Sequence, residues 1–399
     1  MSWSDAILSA AQRQLAEAIE LRRDLHRHPE LGNDLPETRQ RVLDALSGLG
    51  LEIELSGRTS SFVATLSGAS PGRVLMLRAD MDALPMPEDT ELEFASEIPG
   101  RMHACGHDAH TAMLVAAAHV LAPLRDELAG ELRFFFQSGE EGHFGAKISL
   151  DEGLLDTRGA PEAAFALHID PRLPKGCVAA RSGSLLASAD SWTIEIEGKG
   201  GHASMPHLCI DPIPVACEIV TSLQTMVTRR INAFDPVVLT ATTIEAGTTN
   251  NVIPERAIVT GTLRATSEHA RTKAEEGIHR VVYGIAEAHG VASKVDIQAG
   301  YPVTVNDEEF TRFAKAVAHE VLGDAAFIEM PTPVMGAEDF SYLLERWPGA
   351  MFFIGMRDRD ISDPAPVHSN RMVLDEEGMR AGIALHAGLA LRFLHSSEG

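Results

Sequence analysis

Residues 190–200, "DSWTIEIEGKG", alternate polar and apolar side chains with a period of two, the pattern of a strand with one face buried and the other in water. Upstream the chain reads differently. Helical periodicity over roughly 5–28, in "ETRQRVLDALSGLG" (37–50) and in "TAMLVAAAHVLAPL" (111–124) alternates with apolar runs. Those runs are "SFVATLSG" (61–68), "RVLMLRADMDALP" (73–85), "ELRFFFQSGEEG" (131–142) and "AAFALHIDP" (163–171). Apolar strands interleaved with helices predict an α/β domain whose sheet is covered on both faces. The last of these strands is expected to stop at Pro171, which has no N–H for a sheet ladder.

Downstream, a helix in "DPIPVACEIVTSLQTMVTRR" (211–230) precedes strands in "PVVLTATTIEAG" (236–247) and "ERAIVTGTLRA" (255–265). A helix in "SEHARTKAEEGIHRVVYGIAEAHG" (267–290) and a strand in "SKVDIQAGY" (293–301) follow. With the opening strand the order is β-α-β-β-α-β, the split βαβ sandwich. After about residue 300 the earlier alternation resumes, as in "AMFFIGM" (350–356). At 399 residues the chain exceeds one ordinary core. The reading is a first domain begun over 1–186, a second inserted over 187–299, and the first completed by 300–399.

Lysine and arginine number 34 against 57 acidic residues, a net charge of −23. Such a field repels nucleic acid and anionic membranes unless a local basic patch offsets it. No such patch is visible along the chain, so neither nucleic acid nor a membrane is an expected partner, and the charge serves solubility. Runs such as "AMLVAAA" (112–118) fall far short of the ~20 apolar residues that cross a bilayer. The N-terminal stretch carries charged residues where a secretory signal needs an apolar segment. Cys105, Cys177, Cys209 and Cys217 form no disulfide framework. Both features point to the cytoplasm.

Titratable side chains gather where the predicted strands of the α/β part end, which is where open α/β sheets hold ligands. Asp80 and Asp82 follow "RVLMLR", and "HACGHDAH" (103–110) precedes a helix. Glu140 and Glu141 follow "ELRFFFQSG", His168 lies late in "AAFALHI", and His368 falls in "APVHSN" (365–370). Three readings compete for 103–110: a metal site, a cysteine nucleophile with a histidine base, and a buried histidine-rich helix. Cys105, His107, Glu141, His168 and His368 together offer five ligands of mixed softness. They suit zinc, with manganese, cobalt or nickel also compatible. Five exceed what one catalytic ion takes, so two ions about 3.5–4 Å apart sharing a ligand is the economical arrangement. Of the adjacent pair Glu140–Glu141, one carboxylate would bind metal and the other take a proton. A cysteine nucleophile leaves Glu140, Glu141, His168 and His368 without work. Each residue also has a bland reading: a histidine in an apolar strand as core, a Glu-Glu pair as a solvated turn. His26 and His28, in "LHRHPELG" (25–32), read as structural.

Ten segments, in order, carry a wider likeness: "RRDLHRHPELG", "LRADMDALPM", "HACGHDAHTAML", "EEGHFGAK", "LHIDP", "GKGGHASMPH", "NVIPE", "GTLRA", "GAEDFSYLL" and "HSN". Together they resemble the aminoacylase/carboxypeptidase family of co-catalytic metallopeptidases. Within it they are similar to the hippurate hydrolase branch of N-acyl-amino-acid amidohydrolases, which includes the auxin-conjugate hydrolases. The resemblance implies a mixed-sheet α/β/α metallopeptidase domain with an inserted ferredoxin-like α+β lid and dimerisation domain. It implies two divalent metal ions per subunit, zinc or manganese foremost, and an N-acyl amino acid substrate cleaved to a carboxylic acid and an amino acid. A dipeptidase or aminopeptidase-type activity of the same fold is the alternative.

The resemblance also assigns roles. Cys105 would be the bridging ligand, where related branches carry an aspartate, with His107 and His168 completing one metal site and Glu141 and His368 the other. Glu140 would be the general base and then the proton donor to the leaving amine. Asp82 would orient the metal site from behind its ligands. His202 would stabilise the oxyanion, arriving in dimeric relatives from the partner subunit, so a homodimer through the inserted domain is implied. Asn251 and Arg264 would hold the substrate's polar end, the guanidinium pairing with its carboxylate. His143 stands where the branch usually has a small residue, and Asn370 where proline is common.

Overall fold

A computed structural model of the chain describes residues 2–358 and 360–395. It separates into two compact units: Met1–Gly183 with Val305–Pro331 and Tyr342–Gly399, and Ser184–Thr304 with Thr332–Ser341.

The first unit is built on an eight-stranded sheet. Its order is Glu52–Leu55, Phe62–Ser67, Ala129–Gln137, Ser70–Asp80, Ala163–Pro174, Gly349–Arg357, Val178–Ala180 and Phe327–Glu329. The four strands from Ala129–Gln137 to Gly349–Arg357 run parallel, while antiparallel pairs flank them, so the sheet is mixed. The parallel strands are buried over most of their length, which explains their unbroken apolar character. The helix Trp3–Arg27 begins with a capping box, in which Ser2 and Asp5 each bond the other's backbone N–H. It packs on His107–Leu121 and Met379–Leu394, which in turn lie on the sheet. Every residue of His107–Leu121 except His119 is buried, as befits a helix apolar on all sides.

The strand starting at Ala163 passes through Pro171 and continues to Pro174, correcting the expected stop. Its register against Gly349–Arg357 shifts between Gly355 and Arg357. Pro171 sits at that irregularity, where a missing N–H interrupts no regular ladder.

The second unit has an antiparallel four-stranded sheet of order Val237–Ala246, Arg256–Ala265, Asp190–Glu197, Ala292–Gln298. Two helices, Pro212–Arg230 and Glu268–His289, complete a β-α-β-β-α-β order. Burial alternates along Asp190–Glu197 and Arg256–Ala265. Their inward residues, among them Trp192, Ile194 and Val259, meet Ile219, Leu223 and Ile278 of the helices in a core of their own. Thr332–Ser341, which the rhythm of the sequence places with the C-terminal stretch, groups with this unit instead. The reason is backbone pairing: Val334 N–H donates to Leu185 O at 2.9 Å, and Ala187 N–H lies 3.0 Å from Val334 O and 2.9 Å from Gly336 O.

Charges far apart in the chain also meet: Arg229 and Arg230 of one helix and Lys273, Glu276 and Arg280 of the other line a single groove of about 600 Å³. Helix pairing concentrates cations that the linear order keeps apart.

Candidate active site

In the first unit the ends of the parallel strands and the segments after them supply the site. Asp80 is the last residue of its strand, and Asp82, also buried, follows two residues later. His107 is the first residue of its helix, and Gly106 before it has φ +82°. A Cβ on Gly106 would lie 2.4 Å from Ile169 Cγ1, so glycine is required between the two candidate ligands Cys105 and His107. His368 has φ +64°, a conformation uncommon outside glycine and frequent at functional sites. Its N–H donates to Ala104 O at 2.7 Å, which ties the C-terminal loop to the Cys105 turn.

The ligand atoms of Cys105, His107 and His168 all lie within 4.8 Å of one another, and so do those of Cys105, Glu141 and His368. Cys105 belongs to both groups. Its Sγ is 3.4 Å from His168 Nε2, while His168 Nδ1 is 2.6 Å from Ile169 O. A carbonyl can only accept, so His168 carries its proton on Nδ1 and, when neutral, turns a lone pair on Nε2 toward the thiol. His368 Nε2 is 3.2 Å from Glu141 Oε1. His107 is buried with a hydrogen-bond partner at neither ring nitrogen; carboxylate oxygens of Asp82 and Asp80 stand off at 3.5 and 3.6 Å. Such orphaned atoms cost about 1–3 kcal/mol each, a cost that ligation offsets. Two donor sets of thiolate, imidazole and carboxylate meeting at one sulfur fit a pair of divalent ions sharing a bridging ligand.

Asp80, His107 and His110 form a further convergence, but Asp80 and His110 already serve one another. His110 Nδ1 bonds Asp80 Oδ1 at 2.6 Å, and His110 Nε2 accepts the Ile169 N–H at 2.8 Å. Arg78 Nη1 donates to Asp80 Oδ2 at 2.7 Å. Arg78, Asp80 and His110 are thus buried scaffold, which gives Asp80 a role that its sequence position left open.

Electrostatics separate the ligands. Burial pushes the Cys105 thiol up, but the His168 and His107 imidazoles outweigh it and bring the thiol down to about 6. Hydrogen bonds to Cys105 and Glu141 raise His368 to about 10. Burial works to raise Glu141, yet the His368 bond and the His107 charge hold it below the usual carboxylate range. Burial drives His110 down to about 4 against the pull of Asp80.

Beneath the candidate ligands lies a further layer, of which the resemblance had pointed only to Asp82. Asp82 accepts the N–H groups of both glutamates. Asp108, beside His107, accepts from Arg22 Nε at 3.0 Å and bonds His26 Nδ1 at 2.8 Å, all three side chains being buried. Arg22 also reaches Glu376 Oε1 at 2.8 Å. His26, read as structural, thus helps hold the first turn of the helix that carries His107. Arg22 and Glu376 lie 354 residues apart, so no local spacing could have joined them.

The second unit places His202 in the short strand Gly201–His202, paired with Val252–Ile253. His202 is exposed, and its Nδ1 accepts the Ser204 N–H at 3.1 Å. A neutral ring bonded in this way carries its proton on Nε2 and is ready to donate there. Asn251 is a neighbour, its carbonyl accepting the Ala203 N–H at 3.0 Å. Arg264 stands apart on Arg256–Ala265, opposite Val238. Burial lowers its pKa while Asp190 works against that, and the guanidinium has no ion-pair partner among the described residues. His143 is exposed in the first unit with its ring against Gly32, and Asn370 O accepts the Asp89 N–H at 2.8 Å.

Comparison with known proteins finds relatives along nearly the whole chain. The family model described as Peptidase family M20/M25/M40 matches residues 76–392. Thermostable carboxypeptidase 1 of Saccharolobus solfataricus is 38% identical over 94% of this chain and 95% of its own length. N-acetyl-L-cysteine deacetylase of Bacillus subtilis is 37% identical over 98% of this chain and 91% of its own. A Bacillus subtilis crystal structure described as a dinuclear metal binding peptidase from the M20 family superposes with a TM-score of 0.85 at 33% identity, covering 96% of this chain and 99% of that one.

Proposed function

The chain belongs to peptidase family M20/M25/M40, a family of metal-dependent hydrolases of amide bonds, and we propose that it cleaves N-acyl amino acids of the hippurate kind to a carboxylic acid and an amino acid. The observation that carries this reading is the pair of donor groups sharing Cys105, with Glu140 beside the ligand Glu141. The deacetylase relative supports an N-acyl substrate. The carboxypeptidase relative favours a second reading, a peptidase of the same fold.

Cys105, His107 and His168 would hold one divalent ion, and Cys105, Glu141 and His368 the other. Thiolate and imidazole donors suit zinc, and the carboxylate keeps manganese in contention. Bound there, such ions supply Lewis acidity toward the amide carbonyl and toward water. Glu140 takes the proton of the attacking water and returns it to the departing nitrogen. His202 donates from Nε2 to the carbonyl oxygen as charge develops on it. Arg264 pairs with the substrate carboxylate by a charge-assisted bond, and Asn251, beside His202, serves the substrate's polar end. In this reading the second unit serves as lid and dimerisation domain of a cytoplasmic homodimer.

The test is a panel of hippurate, N-acetyl and long-chain N-acyl amino acids and dipeptides, each with zinc or manganese. Glu140→Gln should keep its metal and lose turnover by about 10²–10⁴-fold. Full turnover in that variant, or turnover that survives a chelator, overturns the reading.

A further inference from the structure

The loop 138–145, which carries Glu140 and Glu141, is gripped near both ends by one side chain. Asn33 lies between the helices Trp3–Arg27 and Pro36–Ala45, in a segment no site motif touches. Its Nδ2 donates to His143 O at 2.8 Å, and its Oδ1 accepts from Ser138 Oγ at 3.4 Å. Ser138 is held in turn by Ser61, with 3.0 Å between the hydroxyls and 2.9 Å from Ser138 N–H to Ser61 Oγ. The neighbouring Ser60 N–H donates to Asn33 O at 2.8 Å. Asn33 and Ser60–Ser61 therefore make one cradle.

The loop is shaped to admit this amide. A Cβ on Gly139, whose φ is +72°, would lie 2.1 Å from Asn33 Oδ1, and one on Gly145 would lie 3.2 Å from it. Gly145 N–H closes the loop on Gly139 O at 3.0 Å. Gly142 and Phe144 also have positive φ, +79° and +57°. A backbone this rich in glycine has many conformations of similar energy unless something outside it selects one. Asp82 holds only the middle, through the N–H groups of Glu140 and Glu141.

We infer that Asn33 is a positioning residue, which fixes the loop near its ends so that Glu140 and Glu141 keep their places. The consequence for turnover rests on the function proposed above for Glu140; the consequence for the loop does not. Misplacement of a base by a fraction of its hydrogen-bond length slows the step it serves and leaves substrate binding largely untouched.

The experiment compares wild type with Asn33→Ala and Asn33→Asp in the full-length, metal-loaded protein. Asp is isosteric and keeps the acceptor for Ser138, but it cannot donate to His143 O. Three readouts are taken: hydrogen–deuterium exchange of 138–145, metal affinity by chelator competition, and kcat with KM. Both variants should exchange faster in 138–145 than wild type while the sheet strands stay protected. Both should bind metal about tenfold more weakly, the size expected for a group behind the ligands. On a substrate the wild type turns over, kcat should fall about tenfold with KM within about twofold. Wild-type exchange and wild-type metal affinity in a folded Asn33→Asp protein overturn the inference. So does a loss of kcat that merely follows a global loss of protection. If the wild type hydrolyses nothing on the panel, the proposed function fails, and the exchange and metal readouts still decide the role of Asn33.

Discussion

Asp82 Oδ1 accepts the backbone N–H of Glu140 at 2.9 Å, and the same carboxylate takes that of Glu141 at 3.0 Å through its other oxygen. One buried acid thus fixes two adjacent peptides whose side chains have separate roles in the proposed function. Asp82→Ala leaves two N–H groups without this acceptor, at about 1–3 kcal/mol each where they stay buried. Metal affinity should drop about 10–100-fold, measured against a chromogenic chelator, and the thermal midpoint should fall. Asp82→Asn keeps one acceptor and should lie between. Equal metal affinity in Asp82→Ala and wild type would refute this role.

Gly106→Ala should destabilise the fold through two effects. Its φ of +82° is strained for any side chain, at about 1–3 kcal/mol. The new methyl also meets Ile169. Urea unfolding should show a lower midpoint, and Ile169→Ala in the same protein should recover part of the loss, a coupling that a double-mutant cycle reads directly. Additive losses would show that Ile169 does not set the constraint.

Metal binding should release protons, because ligands bind deprotonated. Without metal, His368 is raised to about 10 and Cys105 lowered to about 6. At pH 7 the imidazole therefore still holds its proton, while most of the thiol has lost its own. Burial works to lower His107, but the Asp80 and Cys105 charges hold it well above 6.5, so binding at pH 7 should release protons from both His368 and His107. Affinity should rise with pH toward about 10 and weaken further below about 6. Calorimetry in buffers of different ionisation enthalpy measures this; a His368→Ala protein that releases as many protons at pH 7 as wild type would remove His368 from the ligand set.

Acid should unfold the protein through histidines buried in neutral form. Burial, and then the charge of His110, brings His386 down to about 3, and burial lowers His103 to about 3 as well. Unfolded, each titrates near 6.5. Between about 6.5 and 3 the unfolded chain binds protons that the folded one does not, so stability falls as pH drops. The slope is about 1.4 kcal/mol per pH unit for each such group. His386→Leu removes one group, and its thermal midpoint should fall less between pH 7 and pH 4.5 than that of wild type. Parallel pH profiles would exclude this contribution.

How far the sequence could be read depends on the range of the interaction concerned. The period of two in 190–197 and the apolar runs of the parallel strands are local consequences of burial on one face or two, and they carried the α/β character and the β-α-β-β-α-β order. Gly106 between Cys105 and His107, and the Glu140–Glu141 pair, are adjacent in the chain and visible as motifs.

Other features escaped because their partners are distant. The grouping of Thr332–Ser341 with the second unit depends on backbone bonds to Leu185 and Ala187. The groove lined by Arg229, Arg230, Lys273 and Arg280 depends on two helices packing together. Arg22 with Asp108, and Asn33 with the loop of the glutamates, carry no spacing that a sequence pattern could hold.

The sequence by itself determined which side chains of this protein can do chemistry, since thiol, imidazole and carboxylate are properties of single residues, and which segments form strands and helices, since periodicity is local. The resemblance had put Cys105 between two metal sites; only the tertiary structure brings its sulfur within both donor groups, turns His168 Nε2 toward it, and has Asp82 fix both glutamates. Those are distances between chain segments far apart in sequence, set by the register and packing of the sheet that carries them.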